Sequence, residues 1–162
     1  AAFVLTGLLM IEGAFGIFQQ QDELSRSARR LGAVLLVLPG LGAVIDGFFT
    51  FEHFLPHFVG FALALTTMVS FPIVGVMLRR TWDWRTVGTG LVIAGPLTLA
   101  LAVLYFATFT PTVAGIQTGV AGLTERALVL EIQAWYVVLG WLTYRRALPS
   151  RELVFNSFQI GD

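Results

Sequence analysis

The 162-residue chain has no cysteine and no lysine, and only two histidines. The missing thiols exclude disulfides, thiolate metal sites and cysteine nucleophiles. Charge is scarce too: 12% of residues are Asp, Glu, Lys or Arg, against about 25% in soluble globular chains. The formal net charge is zero, so nucleic acid is not expected as a partner. No HExxH zinc pattern, no Gly-rich phosphate loop on a strand and no Ser/His/Asp spacing of a catalytic kind is present.

What fills the chain instead is apolar. It is 56% hydrophobic, with a mean hydropathy of +0.80. A membrane span needs roughly 20 mostly apolar residues. Five segments come close: 2–18, 31–51, 57–78, 86–108 and 124–144. The expected fold is all-α, a polytopic helix bundle over residues 1–146 with a tail at 147–162. The opening "AAFVLTGLLMIEGAFGIF" has no starting Met, no basic n-region and no polar cleavage region. It is read as a span rather than a signal peptide. A further helix is expected upstream.

Arginine sets the expected orientation. Arg26, Arg29 and Arg30 precede the second span, and Arg79, Arg80 and Arg85 separate the third from the fourth. Arg145, Arg146 and Arg151 follow the fifth. If all five segments cross, these nine share one side and only Arg126 lies on the other. Basic loops stay cytoplasmic. The expected location is therefore the cell membrane, with the C-terminus cytoplasmic. Trp82, Trp84 and Tyr144 are expected as interfacial anchors on that side.

Pro39, Pro72 and Pro96 fall inside spans and should kink them. Gly90, Ala94, Thr98 and Ala102 recur every four residues on the fourth span. Such a stripe admits a close helix, either within the bundle or from a partner. The tail beyond Pro149, with Leu153, Val154, Phe155, Phe158 and Ile160, is a second candidate docking element.

The rare ionisable groups gather near "DGFFTFEHFLPH", residues 46–57. Asp46, Thr50, His53 and His57 have helical spacing, but Pro56 would clash with the Glu52 carbonyl of a continuous helix. The second span should therefore end near Phe51 or Glu52, with Pro56 in the first turn of the third. Glu52 and His53 then lie on the turn, and His57 can face back to Asp46. "GLTERALVLEIQAW" adds Thr124 as an N-cap, Glu125, Arg126 and, about two turns in, Glu131. An intramembrane carboxylate marks a functional site or an interhelical hydrogen bond. Asp46, Glu52, His53, His57, Glu125, Arg126 and Glu131 are the expected outer polar cluster. Asp46, His53 and His57 are candidate zinc ligands, though Pro56 disturbs the alignment of the two rings; no cofactor is predicted. Glu12 lies in the inner half of the first span, apart from this cluster. The five phenylalanines between 48 and 58 suit an interfacial belt or an aromatic cage.

"GAVIDGFF", His57 at the next helix start and "GLTERALVLEIQAW" followed by basic residues resemble a multi-pass bacterial family, domain of unknown function 998. Phe49 and Thr50 stand where that family often has Pro. The resemblance implies six spans and lends no catalytic role to any residue. Three functions remain open. The first is an accessory or scaffold subunit of a membrane complex, lipid bilayer around it and partners on the stripe or tail. The second is a metal-dependent hydrolase acting on a lipid or headgroup at the outer face. The third is a small-ligand binder or transporter.

Overall fold

In the computed structural model, residues 2–50, 52–109 and 120–159 are described, with side chains to 146. Six α-helices follow one another: α1 (Ala2–Gln19), α2 (Arg26–Phe48), α3 (Phe54–Leu65), α4 (Thr67–Leu78), α5 (Arg85–Thr108) and α6 (Ala121–Gln159). A short 3-10 turn, Trp82–Trp84, leads into α5. The described residues contain no strand. Taken with α3 and α4 as one crossing, five helical segments are long and apolar enough to span a membrane. The expected all-α polytopic bundle is what forms.

Local chemistry sets the ends. Ser25 caps α2: its hydroxyl accepts the amide of Ala28 at 3.2 Å. α2 stops at Phe48, a few residues before the expected Phe51 or Glu52, and the Phe49 amide closes the last turn on the Ile45 carbonyl. Pro56 falls in the first turn of α3, where its missing N–H costs no helical bond. Thr124 does not cap α6, as expected from sequence; the helix starts at Ala121, and the Thr124 hydroxyl donates back to the Ala121 carbonyl. The third crossing breaks at Thr66, between α3 and α4. Thr66 and Thr67 hydroxyls take up the Leu63 and Ala64 carbonyls there, at 2.6 and 2.9 Å.

Chain neighbours pack side by side: α1 on α2, α2 on α3, α4 on α5 and α5 on α6. α2 also meets α4, and α6 returns to touch α1, much less extensively than α2 does. One end of the bundle holds the start of α2, the link from α4 to α5 and Arg145 and Arg146 of α6; we call it the arginine end. The other, where α2 turns into α3 and α6 begins, is the histidine end.

The core runs through the middle of the bundle. Ile17, Leu36, Phe71, Val74, Leu78, Leu91, Leu128 and Leu139 are almost wholly enclosed. Around it, Leu5, Leu8, Leu55, Val69, Ile93, Leu99, Leu130 and Val137 are exposed. Such a surface is a liability in water and the natural lipid face of a membrane bundle. Helices lacking a hydrophobic drive to associate in lipid need close approach. Gly75 and Gly88 supply it between α4 and α5: a Cβ on Gly75 would stand 2.6 Å from the Gly88 carbonyl oxygen.

The Gly90, Ala94, Thr98 and Ala102 stripe is covered from within the chain. Ala94, Thr98 and Ala102 are buried, and a Cβ on Gly90 would meet the Trp135 ring of α6 at 2.6 Å. Of the two expected uses of the stripe, packing within the bundle is the one these contacts show. The docking residues proposed in the tail lie outside the residues whose side chains are described. α6 itself continues to Gln159 without a break. Trp82 and Tyr144 are exposed at the arginine end, as anchors are, but Trp84 is buried. Arg146 stacks 4.2 Å over its ring and donates to the Asp83 carbonyl, tying α6 to the α4–α5 link.

Candidate functional site: a cavity at the histidine end

The end of α2 and the start of α3 fold against each other through glycine. A Cβ on Gly60 would stand 3.0 Å from the Gly42 carbonyl oxygen and would strike the Asp46 carboxyl. That approach brings Asp46 under the first turn of α3. His57 Nδ1 lies 3.1 Å from the Phe49 carbonyl oxygen and 3.2 Å from Asp46 Oδ1. Both oxygens are acceptors, so Nδ1 carries a hydrogen. The N–H is directed at the carbonyl, and Asp46 Oδ1, though near, makes no well-directed hydrogen bond. The imidazole therefore latches the hairpin, while an Asp46 oxygen keeps acceptor capacity.

Asp46 borders a cavity of about 160 Å³ between α1, α2, α3 and α6. Its apolar wall includes Phe3, Met10, Phe61, Leu128 and Ile132. Its polar lining is Asp46, His57, Glu125 and Gln133. Glu125 is half-buried, close enough to Asp46 for the two carboxyls to act on each other, and among the described residues it has no hydrogen bond or ion pair. The arrangement is an apolar chamber with two carboxyls and one imidazole at one end.

The expected cluster of seven residues separates into three groups. Asp46, His57 and Glu125 come together. Glu52 and His53 lie exposed on the turn, where His53 packs edge-on to Phe49 with centroids 6.0 Å apart. Arg126 is exposed on α6 and lines an adjoining groove with Glu125 and Gln133; no described carboxylate lies within 4 Å of it. Arg126 pairs with neither Asp46 nor Glu125. Glu131 faces the other way, where its Oε2 and the Thr98 hydroxyl of α5 are 2.8 Å apart. Among the described residues no three His, Asp or Glu side chains gather in a way that could hold a metal ion, and His53 does not reach Asp46 and His57. Phe48, Phe54 and Phe58 are exposed and do not enclose a cage; Phe51 lies outside the described residues.

Two polar contacts escaped the sequence reading. Tyr136 is buried on α6 and donates its hydroxyl to the Leu36 carbonyl of α2 at 2.6 Å. Pro39 leaves the adjacent Leu35 carbonyl without its helical donor, and the helix opens there to an outside group. A phenol in mid-span, away from the interface where tyrosine usually sits, was the available signal. Thr108 and Thr124 join α5 to α6 at 3.0 Å.

Bundle and apolar outer surface together define a polytopic helical membrane protein with a cavity between its helices. The chain matches the model of the family described as "Protein of unknown function (DUF998)" over residues 1–142. It belongs to that family, in agreement with the motifs around Asp46, His57 and Glu125. No curated protein and no solved structure matches it.

Proposed function

We propose that this protein binds a small amphipathic molecule bearing a positive group, taken from the bilayer into the chamber at the histidine end. The single observation that carries this reading is the cavity of about 160 Å³, apolar except where Asp46, His57, Glu125 and Gln133 line it. A chamber of mainly apolar walls with a few convergent polar groups is the common form of a small-molecule site. Two carboxyls with spare acceptor capacity favour a cation. The distribution of arginine supports placing the chamber in the outer half of the membrane.

The rival readings have less support. A metal-dependent hydrolase needs a ligand set, and among the described residues no three His, Asp or Glu side chains are placed to hold a metal ion. An accessory or scaffold subunit loses the Gly90 stripe to α6, and the remaining exposed apolar surface suits lipid equally well. The test is binding of a fluorescent long-chain alkylamine to the purified protein in lipid nanodiscs, with the matching alcohol as control. The amine should bind saturably and Ala64→Leu, which adds bulk to the chamber wall, should weaken it. Equal partitioning of amine and alcohol, unaffected by Ala64→Leu, would refute the reading.

A further inference from the structure

The chamber does not end at its own walls. Glu125 and Gln133 also line a groove between α1 and α6 that carries Arg126 at its mouth. Gln133 lines a third hollow further along the same seam, with Leu9, Gly13, Val137 and Gly140. Three spaces thus share one amide side chain. The seam is open because α1 and α6 touch sparsely, and because Gly13 and Gly140 leave empty space where a side chain would stand.

We propose that this chamber and the adjoining groove together hold a phospholipid with a primary-amine headgroup, its amine between Asp46 and Glu125 and its phosphate on Arg126. The inference rests on the ligand-binding reading above and names the ligand class. Charge order supports it. Proceeding from the chamber to the groove mouth, the groups are acidic at Asp46 and Glu125, then basic at Arg126. An aminophospholipid offers the complementary order, ammonium then phosphate. Arg126 has no described carboxylate partner within 4 Å, so its guanidinium is available to a phosphate. Gln133, about two turns deeper on α6, is placed to donate to an ester carbonyl.

Length agrees as well. From Arg126 to Gly140 the groove follows 14 residues of α6, about 21 Å. One leaflet of hydrocarbon is about 15 Å deep, so an acyl chain fits along the seam. A transmembrane helix, roughly 10 Å across with its side chains, could lie on the seam but could not enter the chamber. A phospholipid can occupy both.

The experiment uses the full chain in nanodiscs with trace photoactivatable phosphatidylethanolamine, phosphatidylcholine or phosphatidylglycerol. The primary-amine lipid should label α1 and α6 in preference to the other two by about tenfold, the scale of one charge-assisted hydrogen bond. Glu125→Gln should remove that preference, and Arg126→Gln should lower lipid labelling while leaving alkylamine binding intact. Each variant is checked by circular dichroism and gel filtration, and because Asp46 also touches the hairpin latch, Glu125→Gln is the decisive change. Equal labelling by all three lipids while the alkylamine still binds the chamber would overturn the phospholipid assignment and leave the chamber reading standing. Loss of both would overturn both. Cross-linking of a Gly13→Cys variant to a second polypeptide, with lipid absent from the seam, would assign the groove to a helix and overturn the proposal.

Discussion

The bond between Thr98 and Glu131 gives the most quantitative test of how the helices are held. Thr98 Oγ1 is 2.8 Å from Glu131 Oε2 and 2.9 Å from the Ala94 carbonyl oxygen. A threonine hydroxyl has one proton. It serves Glu131, or it serves Ala94 while Glu131, as the neutral acid, donates to Oγ1. Both arrangements join α5 to α6 in a place where Thr98 is wholly buried. Interhelical hydrogen bonds in membranes average ~0.6 kcal/mol and reach ~1.7. This one should stand toward the upper end, because Thr98 has no access to competing solvent. Thr98→Val keeps the shape and should cost about 1 kcal/mol, by loss of the bond and the stranding of Oε2. Glu131→Gln should cost less, since an amide can still donate to Oγ1. The losses from Thr98→Val and Glu131→Leu should overlap, with a coupling of about 1 kcal/mol. Reversible unfolding of the single and double variants in bicelles measures it. Full additivity within ~0.3 kcal/mol would refute the bond as a holding contact.

Three further outcomes are expected. Gly60→Ala drives a methyl into the Asp46 carboxyl and toward the Gly42 carbonyl, so it should destabilise by about 1–3 kcal/mol in the same unfolding assay; a neutral result would mean that α2 and α3 are less closely packed. Tyr136→Phe removes the 2.6 Å bond to Leu36 and should cost about 1 kcal/mol, whereas no loss would mean that water or a backbone donor already satisfies that carbonyl. Glu12 is exposed on α1, midway along a span; Glu12→Leu should stabilise the isolated chain in bicelles by about 1 kcal/mol or more, and destabilisation with a drop in particle mass would identify Glu12 as part of a subunit contact.

Hydropathy and arginine placement were enough for the five crossings, because a bilayer imposes a length and a composition on each helix separately. Pro56 likewise determined, without any tertiary information, that residues 46–57 form a hairpin and not one helix, since its ring excludes the Glu52 carbonyl. The meeting of Asp46 and His57 followed from that break. Helix phase was harder to read. Glu125, Arg126 and Glu131 lie within two turns of one helix, and membership in a common cluster looked natural from their depth. Their directions differ, and only the positions of α1 and α5 on either side of α6 decided that Glu125 enters the chamber, Arg126 the groove and Glu131 the seam with Thr98. The same holds for the Gly90 stripe: small residues show that some helix approaches, and the neighbour's identity depends on packing. A sequence specifies what each helix can tolerate against lipid. Which polar groups share a cavity is a property of how helices remote in the chain are rotated against one another, and that rotation is set by close contacts such as Gly42 on Gly60 and Gly75 on Gly88.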